Sequence, residues 1–140
     1  METKNTTEIN LKIPMLPNME LIAANTAEFI ANYFSFKKEA IEEVKSAVIE
    51  STINAIEHSD SKEKIVEITY MLENDNLIIK IHDKGTGYNP EDLDEPNIKE
   101  KFNNSDKRGW GMSLINEMMD EVDVVQNNDG CEVIMKKRRL

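Results

Sequence analysis

Glu50 and Asn54 stand four residues apart, and His58 follows at the same step. On a helix this spacing stacks a carboxylate, a carboxamide and an imidazole along one side, one turn apart. The carboxylate could orient or deprotonate an attacking hydroxyl. The carboxamide oxygen suits Mg²⁺, a hard cation that takes one or two protein ligands together with substrate phosphates. His58 fits a supporting role better than a catalytic one. Further on, Asp83-Lys-Gly85-Thr-Gly87 places a carboxylate before two glycines, where it could accept a hydrogen bond from an amino group such as the exocyclic amine of adenine. A second island, Gly109-Trp-Gly111, opens a helical pattern. Helix N-termini offer unpaired N–H groups and a positive dipole end to phosphate, glycines permit close approach, and Lys107 and Arg108 add charge beside them. Taken singly, these features are a solvated helix face, a turn-forming Asp and an ordinary glycine turn. Three such islands in this order point to a ligand site.

The elements that must carry these residues are legible in the hydrophobic spacing. Lys37 to His58 reads as one long helix: Ala40, Ile41, Val44, Ala47, Val48, Ser51 and Ala55 share a face, and no Gly or Pro interrupts it. Glu8 to Ile13 alternates as a half-buried strand closed by Pro14 and Pro17. Asn18 to Tyr33 returns to helical spacing, with Asn18 as the expected N-cap. Ile65 to Leu72 and Leu77 to His82 form a hairpin around Glu73-Asn-Asp-Asn76, so Asp83 closes a strand. Tyr88 to Arg108 has no periodicity, carries Pro90 and Pro96, and lies between the two glycine islands, as a lid over a ligand would. Trp110 to Glu121 is helical, and its methionine row reads as core. Val122 to Gln126 and Glu132 to Lys136 are strands joined by Asn-Asn-Asp-Gly. The terminal KKRRL reads as a solvated tail. Strands arrive in hairpins rather than in βαβ alternation, which predicts an α+β, two-layer sandwich: a mostly antiparallel sheet with helices on one face.

Composition narrows the class. A chain of 140 residues suits one domain, here 1–140, with 39% hydrophobic residues for a core. A net charge of −10 repels phosphate backbones, so no direct nucleic-acid partner is expected. The single cysteine, Cys131, rules out an internal disulfide framework and fits a reducing cytoplasm. No apolar run reaches membrane-spanning length, so no membrane association is expected, and the first residues lack the plan of a signal peptide.

These islands resemble the motifs of the GHKL, or Bergerat-fold, ATPases. The N-box is Glu50-Ser-Thr-Ile-Asn54-Ala55, and the glycine boxes are Asp83-Lys-Gly85-Thr-Gly87 and Gly109-Trp-Gly111-Met112. The similarity runs from about Glu39 to Met135. Within that superfamily the chain is most similar to the stand-alone anti-sigma-factor serine kinases of bacterial partner-switching systems, on three grounds. They are its small size, Glu at the head of the N-box, and the phrase Gly-Met-Ser-Leu-Ile-Asn-Glu-Met-Met-Asp-Glu-Val. The resemblance implies a Bergerat ATP-binding fold with an ATP lid at about 88–108. It implies that Asn54 binds Mg²⁺, that Glu50 is the catalytic base or positions the acceptor, and that Asp83 reads the adenine amine between Gly85 and Gly87. Gly109, Gly111 and Met112 would cradle the phosphates. It further implies a STAS-domain anti-anti-sigma protein as substrate on Ser or Thr, a sequestered sigma factor, and a homodimer. Two departures stand out: Gly130-Cys131 where the family often has Gly-Thr, and the bulky Trp110 between two glycines. The alternatives are a nucleotide-gated binding module without phosphotransfer and a detached histidine-kinase ATPase domain.

Overall fold

A computed structural model of the protein describes residues 7–85 and 107–140, with the backbone alone at 107–111 and 127. Among the described residues five strands, β1 (Thr7–Pro14), β2 (Ile65–Glu73), β3 (Asn76–Asp83), β4 (Glu121–Asn127) and β5 (Gly130–Arg138), accompany three helices, α1 (Met19–Tyr33), α2 (Lys38–His58) and α3 (Lys107–Met118). The strands form one sheet in the order β1-β2-β3-β5-β4, with every pairing antiparallel. The expected α+β sandwich is borne out.

Register explains where the core and the site lie. Residues directly opposite each other share a face of the sheet. One row runs Ile9, Tyr70, Ile79, Met135, Val122; the next runs Leu11, Ile68, Ile81, Val133, Val124. Most of these side chains are buried, and they meet Val44, Ala47 and Val48 of α2, each fully buried. Burying such a valine contributes about 1.5–3 kcal/mol. The last row runs Ile13, Val66, Asp83, Cys131, Gln126. The apolar register is thus carried through to the end of the sheet, where the row turns polar at Asp83.

The hairpin turns follow their chemistry. Asn74 and Asp75 both take positive φ, 51° and 66°, the type I′ geometry that matches strand twist. Gly130 has φ 125°, and a Cβ there would sit 2.0 Å from the Asp83 carbonyl oxygen. Only glycine lets β5 pass so near the end of β3.

Three local expectations are corrected. Asn18 does precede α1, but its φ is 75° and its side chain makes no capping bond. It serves the turn after Pro17, a conformation that Asn tolerates. The basic terminal run is not a solvated tail: Lys136, Lys137 and Arg138 belong to β5. Lys137 is buried, donating to the Met118 carbonyl at 2.6 Å and to Glu43 Oε1 at 3.2 Å. It places a cation at the C-terminus of α3, where the helix dipole favours one. Finally, α3 begins at Lys107 rather than Trp110 and ends at Met118. Gly109 and Gly111 therefore lie inside its first turns instead of before it. Among the described residues no helix is long and apolar enough to cross a membrane.

Candidate nucleotide site

The C-terminal half of α2 lies across the end of the sheet where Asp83 sits. Ser51, Asn54, Ala55 and His58 of α2, Ile81 and Asp83 of β3, Cys131 and Val133 of β5, Met112 of α3 and Ser59 line one cleft. It holds about 370 Å³ of empty space, part of it open to solvent. The α2 residues of this lining continue the buried face that Val44, Ala47 and Val48 turn to the core, and that face becomes polar where it reaches the end of the sheet.

Asp83 is 7% exposed. Its Oδ1 accepts from the Ser59 hydroxyl at 2.8 Å and from the Gly85 N–H at 2.9 Å. Ser59 Oγ in turn accepts from the Ser61 N–H at 3.1 Å. These contacts fix the carboxylate by one oxygen, and among the described residues Oδ2 has no donor. A rigid acceptor with an open oxygen in an apolar cleft is suited to an amino group on a flat ring. Gly85 is required by crowding: a Cβ would lie 2.6 Å from both Ser59 Oγ and Asp60 Oδ1.

Asn54 is also 7% exposed, and its Nδ2 is buried without a hydrogen-bond partner among the described residues. Such a group costs about 1–3 kcal/mol. That nitrogen is a donor open to an acceptor such as a phosphate oxygen, while the carboxamide oxygen is the end that suits a cation. Glu50, one turn earlier, is half-buried and makes no hydrogen bond or ion pair among the described residues. It is not part of the cleft lining, which places it outside the base-binding half of the site.

The chemistry of this donor set fits ATP with Mg²⁺. Asp83 and the apolar Ile81, Val133 and Met112 suit a purine, and Asn54 suits an oxygen-seeking cation that takes its other ligands from phosphates and water. Among the described residues no group of three or more His, Cys, Asp or Glu side chains converges as a closed metal site. The structure brings together Asn54, His58, Asp83 and Met112, with Gly85 packed behind Asp83. Gly87 and nearly all of the expected lid at about 88–108 lie outside the described residues. Lys107, Arg108, Gly109 and Gly111 are placed by their helical backbone alone.

A family profile described as histidine kinase-like ATPase domain matches residues 16–137. The chain belongs to that family. The serine-protein kinase RsbW of Bacillus pumilus is 31% identical over 137 residues, covering 92% of this chain and 84% of the relative. That of Oceanobacillus iheyensis is 29% identical over 135 residues, covering 92% and 85%. A crystal structure of the RsbU and RsbW domains of a Mycobacterium tuberculosis protein superposes with a TM-score of 0.70 at 13% identity. It covers 94% of this chain, which spans about a third (32%) of that one. At such identity the superposition speaks for the fold alone. The resemblance to GHKL ATPases, and among them to the stand-alone serine kinases, is borne out.

Sequence reasoning missed Ser59. It lies between α2 and β2, outside every motif singled out above, yet its hydroxyl orients Asp83. A serine directly after the last helical residue was the available signal. Ser51 lines the cleft too, but its hydroxyl is spent on the Ala47 carbonyl at 2.7 Å and Met135 Sδ at 3.1 Å.

Proposed function

We propose that this protein, a single ATP- and Mg²⁺-dependent domain of the cytoplasm, is a serine/threonine kinase and anti-sigma factor of a partner-switching system. It phosphorylates a STAS-domain anti-anti-sigma protein on Ser or Thr and, as a homodimer, sequesters a sigma factor. The observation that carries the reading is the pairing in one cleft of Asp83, held among the described residues through one oxygen, with Asn54, whose buried carboxamide nitrogen has no hydrogen-bond partner among them.

Bound Mg-ATP supplies the phosphoryl group and the metal charge that offsets its negative oxygens. The chain's own residues do the rest. Ser59 and the Gly85 N–H hold Asp83 so that its open oxygen accepts from the adenine amine. Asn54 would hold the metal through its side-chain oxygen. Glu50 receives or directs the proton of the acceptor hydroxyl, and its half-exposed position suits a group that must meet a second protein. The first turn of α3, whose backbone N–H groups have no partner within the helix, would take the phosphates.

The test is phosphotransfer from Mg-ATP to a STAS-domain protein, with Glu50→Gln as the variant. Transfer is expected to fall roughly 10²–10⁴-fold, the usual weight of a positioned acid–base group, while ATP binding is kept. Unchanged transfer in Glu50→Gln removes the base assignment.

The second reading, a nucleotide-gated binding module, draws on Cys131. A thiol is a weak hydrogen-bonding group, and it sits directly opposite Asp83 in the sheet. Retention of a STAS-domain protein that never becomes phosphorylated decides for the module. An acid-labile phosphohistidine on the partner decides for a histidine-kinase activity.

A further inference from the structure

We infer that Lys137 is a positioning residue for the triphosphate: its buried ammonium fixes where the phosphate end of α3 stands against the Glu50–Asn54 row of α2. The inference rests on the reading above that the first turn of α3 takes the phosphates, and it gives that turn a support at the far end of its helix.

Lys137 is not part of the cleft lining. It lies in β5, 8% exposed, beside the other end of α3. Its Nζ donates at 2.6 Å to the carbonyl of Met118, the last residue of α3. It also donates to Glu43 Oε1 of α2 at 3.2 Å. Glu43 stands about two turns before Glu50 and about three before Asn54 on the same helix. One ammonium is therefore bonded both to the helix that carries Glu50 and Asn54 and to the helix whose first turn is open to phosphate.

The neighbours of Lys137 grip the same junction. The Asp120 N–H donates to the Lys136 carbonyl at 2.9 Å, and the Arg138 N–H donates to Asp120 Oδ2 at 2.7 Å. These bonds tie the chain leaving α3 to β5, whereas the Lys137 ammonium reaches on to α2. Ile115 of α3 and Met119 just beyond it are buried in the core, but apolar burial is non-directional. Charge-assisted bonds add direction. An ammonium taken out of water is costly unless its donors are used. A slide or tilt of α3 against α2 that breaks either bond is thus resisted. The rise from Met118 back to Lys107 is about 16 Å, and a helix carries a displacement at one end to the other. At the reacting end a misplacement of about 1 Å is felt strongly. The base end of the cleft depends on α3 through Met112. Its polar reader, Asp83, is held instead by the Ser59 hydroxyl and the Gly85 N–H. Lys137 therefore weighs on the phosphates far more than on the adenine.

The test is calorimetric titration of the full chain with two probes, Mg-ATP and adenosine. Thermal unfolding without nucleotide first shows which variants are folded. The parent is expected to bind Mg-ATP more tightly than adenosine. Lys137→Met keeps the stem and removes the charge. It is expected to weaken Mg-ATP about tenfold or more and adenosine less than about twofold. Lys137→Arg keeps a cation and is expected to recover most of the Mg-ATP affinity. Glu43→Ala, at a half-exposed position, removes the α2 half of the tie and leaves the bond to Met118. It is expected to weaken Mg-ATP about threefold with adenosine unchanged, and it decides the matter if Lys137→Met does not fold. Equal losses for the two probes would make Lys137 a residue of general stability and overturn the inference, as would unchanged Mg-ATP affinity in the folded variants. A parent that binds adenosine as tightly as Mg-ATP overturns the phosphate reading of α3 itself, and the inference with it.

Discussion

Around the end of α2 a polar atom is buried without a partner; along β1 and α1 apolar side chains stand in water. Interiors ordinarily satisfy their polar groups, and surfaces ordinarily hide large apolar patches. Each region departs from its own rule, and in the opposite sense. The deficit at Asn54 is one of hydrogen bonds and calls for a polar, charged ligand. The deficit at Phe29 and Tyr33, 70% and 73% exposed, is one of cover and calls for a protein surface. All three residues are poor choices for the stability of the isolated chain, which is the usual mark of positions kept for binding.

The sharpest way to break this comparison is Asn54→Ala. If the carboxamide serves a ligand, phosphotransfer is expected to fall about 10²–10³-fold, the scale of losing one fixed group that stabilises developing charge. Thermal stability without nucleotide is expected to stay the same or rise, because the variant removes a buried polar atom that has no partner. Calorimetry beside a transfer assay checks both halves. A large drop in Tm would mean that Asn54 holds the fold together, and the contrast between the two regions would lose one side.

How much of this could be read from the chain depends on the range of the contact concerned. The alternation of Ile65–Leu72 and the three- and four-residue steps of α2 are local, and both elements were legible to within a residue at most ends. The Glu50-Asn54-His58 row was legible because a helix converts spacing directly into a face. Ser59 was not, because its partner Asp83 is 24 residues away and only the folded sheet brings them together. Lys137 was misjudged for the same reason. A lysine in a basic run looks solvated until Glu43, 94 residues earlier, and the end of α3 are placed beside it. The start of α3 was set too late, since glycines were read as preceding the helix, whereas the helical backbone runs back over them to Lys107. The exposed stripe on α1 went unnoticed because spacing shows that residues share a face, not whether that face is covered.

A smaller effect, on stability alone, is expected at the junction between the cleft and the last hairpin. Gly130→Ala would bring a Cβ to 2.0 Å from the Asp83 carbonyl oxygen and 2.7 Å from Lys84 Cα, both backbone atoms that cannot swing aside. A loss of about 3 kcal/mol is expected from the strained φ and the collision together. Denaturant unfolding measures it. The strand end carrying Asp83 would also shift, so nucleotide affinity is expected to fall with stability, unlike in Asn54→Ala, where the two separate. A Gly130→Ala protein with parental stability would show that β5 can move away from β3, and that the close approach is incidental.

The smallest expected effect supplies the control for the comparison. Tyr70 is another polar side chain in the interior, 1% exposed, but its hydroxyl has a partner: it donates to the Ala23 carbonyl of α1 at 2.8 Å. It lies directly opposite Ile9 of β1, beneath the edge rather than beside the cleft. Tyr70→Phe is expected to cost about 1 kcal/mol near neutral pH, the net value of one satisfied hydrogen bond, with phosphotransfer unchanged. The variant should also respond differently to alkali. Burial pushes the Tyr70 phenol well above its ordinary value, with a hydrogen bond to Thr26 opposing the shift. The folded state therefore favours the neutral form more than the unfolded state does. That contribution is fully present below about pH 10, where an unfolded tyrosine begins to ionise, and it is lost as pH rises toward the folded value. Stability of the parent is expected to decline above about pH 10 more steeply than that of Tyr70→Phe. Parallel alkaline curves would mean that the phenol ionises in the folded protein as readily as in the unfolded chain, and Tyr70 would cease to be the satisfied counterpart of Asn54.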